Sequence, residues 1–95
     1  MTTPEPSGIS FAGFVLSLAT TAAVHFGDIA DPNTGERHQP DLQAAHQMID
    51  LIAMLQEKTR GNLASDEAKL VEDLLYELRL RYVQAQQGER RIVEP

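Results

Sequence analysis

The sequence predicts an all-α fold: three helices with a long loop between the first and second, assembled as a homodimer or higher oligomer. Three observations carry that prediction. Apolar residues recur at helical spacing in three segments, each bounded by capping and stop signals. The segment FAGFVLSLATTAAVHFG, Phe11 to Gly27, holds no Asp, Glu, Lys or Arg. The chain has 95 residues, enough for one small domain that hides a limited share of its own surface.

The first helix is expected to follow an N-cap at Ser10, with Ser7 as the other candidate, and to stop at Gly27. Ala content and the absence of an internal proline outweigh the weak helix propensity of Thr20 and Thr21. Helical periodicity puts Phe11, Phe14, Val15, Leu18, Ala22 and Phe26 on one side, a core stripe. The other side carries Gly13, Ser17, Thr20, Thr21 and Val24, all small or uncharged. Water-facing helix surfaces normally show Glu, Lys or Gln, so this side also reads as covered.

Residues 28–40, DIADPNTGERHQP, form the long connection, with Pro32, Asn33 and Gly35 as turn residues. The second helix is expected from Leu42 to Arg60, capped by Asp41 and ended by Gly61-Asn62. Its apolar arc, from Leu42 through Met48 and Ile52 to Leu55, is wide enough to touch more than one neighbour. The third helix is expected to start after Ser65 and to end near Gln86. Its stripe is Leu70, Val71, Leu74, Leu75, Leu78 and Tyr82. Tyr76, Leu80 and Val83 add a thinner apolar line, and Glu77 and Arg81 have the spacing of an i,i+4 ion pair. The domain thus spans 9–86, flanked by flexible tails at 1–8 and 87–95.

Two helices cover one side of the first, and a three-helix chain has nothing left for the other side. A symmetric second copy supplies the cover. The expected oligomer interface is Gly13, Ser17, Thr20, Thr21 and Val24, joined by Tyr76, Leu80 and Val83. The expected partner is the chain itself, as a dimer, with room for an unidentified protein partner.

Composition narrows the function classes. Net charge is −6 and the eight Lys and Arg are scattered, so phosphate backbones repel the chain and no nucleic acid is expected. There is no cysteine, which removes disulfides and thiolate sites and fits a cytoplasmic protein. The opening MTTPEPSG lacks the basic residues of a signal peptide. Ser, Thr, Gly and His interrupt the apolar segment, and the first basic residue after it is Arg37, so a membrane span is not favoured. Membrane association through residues 9–27 stands as the alternative.

No motif for catalysis appears. His25, Asp28, Asp31, Glu36, His38, Asp41 and His46 surround the long loop, but without H-x-x-x-H or H-E-x-x-H spacing. A ligand or metal site at 28–41 is therefore only a third reading, and no cofactor or metal is expected. His46 and Asp50 read as a surface pair. The loop has no lysine to cradle phosphate and does not meet the calcium-loop spacing.

Several segments together carry a resemblance: F-x-x-F-V-L-S-L-A-T-T-A-A-V-H-F-G-D, D-P-x-T-G-E, Q-E-K-T-x-G-N-L and L-Y-E-L-R-x-R-Y. From Phe11 to Val83 the chain resembles a family of short bacterial proteins catalogued as domain of unknown function 1844. The resemblance implies no reaction, ligand or catalytic residue. It marks the D-P-N-T-G-E loop and the end of the second helix as parts of a family pattern. The expected function is that of a small soluble non-catalytic module, structural or for protein–protein interaction, that self-associates through its apolar first helix.

Overall fold

The computed structural model describes residues 9–92, with side chains through Gly88. The tail expected at 1–8 and residues 93–95 lie outside the described residues. Among those described, the regular structure is three helices: α1 Phe11–Phe26, α2 Leu42–Lys58 and α3 Ser65–Ile92.

Local chemistry sets the boundaries. The Ser10 side chain accepts a hydrogen bond from the Gly13 amide at 2.9 Å, satisfying one orphan donor of α1. At the other end Gly27 adopts φ 83°, a left-handed conformation that favours glycine. Its amide donates to Val24 and the Asp28 amide donates to Ala23, the paired bonds of a Schellman stop. Asp41 caps α2 by accepting from the Ala44 amide at 3.1 Å. That helix ends at Lys58, short of the expected Arg60, and Gly61 turns the chain at φ 88°. Glu67 reaches back to accept from the Ala64 amide at 2.9 Å, one half of a capping box at the start of α3.

The third helix differs from expectation at its far end. It runs through Gly88 to Ile92, so residues 87–92 are helical. A lone glycine costs a helix only about 1 kcal/mol, and no proline intervenes before Pro95. At about 1.5 Å per residue α3 is about 42 Å long against about 24 Å for α1, so its C-terminal end has no equally long neighbour.

All three helices contribute to one core. Val15 and Ala22 of α1, Ala45 and Ile52 of α2 and Val71 of α3 are wholly buried, and Phe26, Ile49 and Leu75 nearly so. Phe11, Leu18, Met48, Leu74 and Tyr82 pack around them, half-buried. One member of the expected α1 stripe is absent. Phe14 is 52% exposed. It lies about one residue's rotation from Val15, at the edge of the stripe, and a core of ten buried apolar residues does not reach that far round.

Two substitutions test this packing. Ile52→Ala should lower unfolding free energy by about 2–5 kcal/mol in urea melts, the cost of a cavity at a wholly buried site. Gly27→Ala should cost about 1–2 kcal/mol for the left-handed backbone. Its new Cβ would also lie 3.2 Å from the His38 carbonyl oxygen, which would have to give way.

Candidate functional site

The side of α1 turned away from the core is unusual chemically. Gly13, Ser17, Thr20 and Thr21 lie on it and are exposed. Their hydroxyls are not offered to water as free donors. Ser17 donates to the Phe14 carbonyl at 2.7 Å, Thr20 to Leu16 at 3.0 Å and Thr21 to Ser17 at 3.0 Å. Each hydroxyl thus returns its proton to its own helix. What remains for water is the accepting side of each oxygen, among methyl, methylene and backbone groups. Phe14 and Leu16, 46% exposed, flank this strip, and Ile9 at 90% extends it past the helix start. Gly13, Ser17 and Thr21 recur every fourth residue, a spacing that leaves a low track along a helix for close approach of another.

Val24 behaves differently from its expected companions. It is 6% exposed within the single chain. The loop between α1 and α2 folds back over it, so that Pro32, Asn33 and His38 line a recess with Thr20, Thr21, Val24 and His25. The outer face of α1 is consequently open only from Ile9 to Thr21.

The loop is held in that position by a local network centred on Asp31. One carboxylate oxygen accepts from the Asn33 amide at 2.8 Å and the other lies 3.1 Å from His38 Nε2. The Asp31 carbonyl accepts from Thr34 and Gly35, and its amide donates to Glu36. Gly35 supplies the left-handed residue, φ 76°. The Asp41 amide donates to the His25 carbonyl at 2.7 Å, tying the end of the loop to the end of α1. His25 therefore contributes its carbonyl to the loop and also lines the recess.

A second clasp spans the chain. Arg81 of α3 donates from Nε and Nη2 to the two oxygens of Asp28, at 2.8 and 2.7 Å. Its guanidinium also lies over the Phe26 ring, 5.2 Å from the centroid. Arg81 thus pairs with Asp28 in place of the expected Glu77, and its two donors meet both carboxylate oxygens, the bidentate geometry that makes such pairs strong. The bond from Arg81 and the nearby positive charge hold the Asp28 carboxyl below its ordinary value of 3.8. His46 and Asp50 do form the expected surface pair, at 3.2 Å. His46 also sits 4.9 Å from the Tyr82 ring, centroid to centroid.

Tyr76, Leu80 and Val83 are exposed by 66%, 43% and 47%. Together with Gln56 of α2 they line a shallow groove that shares no residue with the α1 surroundings. The structure thus gathers Gly13, Ser17, Thr20 and Thr21 on one surface, puts Tyr76, Leu80 and Val83 on another, and buries Val24. Sequence reasoning did not assign Ile9 or Leu16 to the α1 surface. Their period on the helix was a usable signal for Leu16, whereas Ile9 precedes the helix and has no period. Among the described residues, no group of three or more His, Asp or Glu side chains is placed to hold a metal ion. No helix among them is long and apolar enough to cross a membrane.

The fold and this surface define a small helical domain whose most distinctive feature is an uncharged helix face beside a structured acidic loop. The chain belongs to the family described as Domain of unknown function (DUF1844), whose model matches residues 8–84. That match includes α1, the loop, α2 and most of α3. No curated protein and no solved structure matches the chain.

The Asp28–Arg81 clasp makes a pH-dependent prediction. A carboxylate with a lowered folded-state pKa stabilises the fold above its unfolded value and ceases to do so as pH falls through the folded one. Both partners are more than a third exposed, so solvent screening limits the effect to about 1 kcal/mol or less. Asp28→Asn should therefore be less stable than the parent chain at pH 7. Urea melts should show the difference closing below about pH 4. A constant difference down to pH 2 would count against the clasp.

Proposed function

We propose that this protein is a cytoplasmic, non-catalytic module that self-associates as a homodimer through the outer face of α1, in a structural or protein–protein interaction role. The observation that supports this reading is the self-satisfied hydroxyl pattern of Ser17, Thr20 and Thr21 beside exposed Phe14 and Leu16. Such a face loses little hydrogen bonding when it leaves water, and it gains from covering the aromatic and aliphatic groups beside it. The chain carries a net charge of −6, and two copies repel unless they meet where charge is absent. The outer face of α1 meets that condition.

A catalytic role finds no support in the hydroxyls on this face, since each donates to a carbonyl rather than to a base. Membrane-surface attachment through α1 is the weaker alternative, because interfacial helices usually carry Lys or Arg on the polar side and α1 has neither.

Ser17→Glu and Thr20→Glu test the reading. Both sites are exposed in the single chain, so each variant should fold. Each should convert the dimer to monomer at micromolar concentration in light scattering, since burying an unpaired carboxylate costs several kcal/mol. An unchanged dimer mass in both variants would place the interface elsewhere. A parent chain that is monomeric would end the proposal.

A further inference from the structure

We infer that the two copies pair α1 against α1 in antiparallel orientation about a two-fold axis, crossing between Gly13 and Ser17, so that the acidic loop of each lies beside the N-terminal end of α1 in the other. This rests on the proposed self-association through α1 and adds the orientation to it. Three observations on the molecule lead there.

The open part of the face is asymmetric along the helix. The loop closes it at Val24, leaving Ile9 to Thr21 accessible. The midpoint of that stretch falls at Val15, whose own side chain points into the core, and on the outer side it falls between Gly13 and Ser17. Those are the smallest exposed residues of the helix, so a second helix approaches most closely there.

The charges at the two ends are unlike. Residues 28–41 carry four carboxylates, at Asp28, Asp31, Glu36 and Asp41, against the guanidinium of Arg37 and that of Arg81, which clasps Asp28, so the loop keeps a net negative charge. A parallel two-fold pair would set two such loops side by side, and like charges would oppose it. The opposite end of α1 has the complementary character. Its first turn contains no acidic residue, and Ser10 satisfies only the Gly13 amide with its side chain. Among the described residues no carboxylate caps the positive end of the helix dipole there. Antiparallel pairing brings the acidic loop of the second copy to that end.

The third observation is Ile9. It is 90% exposed at the start of α1, where no other described residue covers it. In the antiparallel pair it lies level with the partner's Thr21 and within a residue's rise of the partner's Thr20, next to the partner's loop at Pro32. In a parallel pair it would face the partner's Ile9, with both acidic loops crowded at the other end.

The chain has no cysteine, so single-cysteine variants report distances without interference. Ile9→Cys and Thr20→Cys both fall at exposed positions. The two variants are mixed, allowed to exchange, and treated with a bismaleimide of two-carbon spacer. Antiparallel pairing predicts a covalent dimer in the mixture and none with Thr20→Cys alone, whose two thiols are then about 15 Å apart along the helices. Cross-linking of Thr20→Cys alone would show parallel pairing and overturn the orientation while leaving self-association intact. No cross-link in any sample, with dimer mass unchanged in light scattering, would remove α1 from the interface altogether. A monomeric mass would instead defeat the self-association reading on which the orientation rests.

Discussion

The structure depends on α1 having two faces with opposite obligations and no charge to discharge either. Inward, Val15, Ala22 and Phe26 fill the space between α2 and α3, and the core closes on them. Outward, the same helix presents Gly13, Ser17, Thr20 and Thr21, whose hydroxyl protons are committed to their own backbone. A helix in which serine and threonine bond back to the preceding turn exposes the least polar version of a polar sequence. Phe14 and Leu16 then lie at the margins of a surface that water solvates poorly.

The loop between α1 and α2 has a definite role in shaping it. Asp31 uses both carboxylate oxygens, its amide and its carbonyl to fold residues 31–38 into a compact turn. Gly27 permits the sharp exit from α1 and the close pass of the His38 carbonyl. The loop is thereby laid over Val24, and the Asp28–Arg81 clasp anchors its first residue to α3. Of the acidic residues that looked in sequence like a scattered ligand set, Asp28, Asp31 and Asp41 each carry a structural bond through the side chain. The same residues give this end of the molecule its negative character, so one loop both ends the open face and polarises it.

Much of the fold was legible because its signals are local. Ser10, Asp41, Gly27 and Gly61 lie within a few residues of the groups they cap or turn, and capping is chemistry between near neighbours. The stripes of α2 and α3 follow from periodicity alone, and Ala45, Ile49, Ile52, Val71 and Leu75 are buried as that period requires. The outer face of α1 was legible in composition, since the lack of charge on Gly13, Ser17, Thr20 and Thr21 can be read without coordinates. Its extent was not. Phe14 is left uncovered and Val24 is covered by the loop, and both depend on which parts of the chain reach them.

The amino-acid order by itself determined three helices, their caps, the buried stripes and the uncharged side of α1, because each is set by neighbours within a turn or two of helix. Tertiary structure decided the rest. The pairing of Arg81 with Asp28 crosses 53 residues and displaced a pair that helical spacing favoured. The burial of Val24 required a loop whose path is fixed by Asp31 and Gly27 acting together. The separation of Tyr76, Leu80 and Val83 from the α1 surface required the relative placement of two helices. Contacts between distant segments carry no period and no motif, and they form only when burial of the shared core offsets the entropy lost in closing the chain between them.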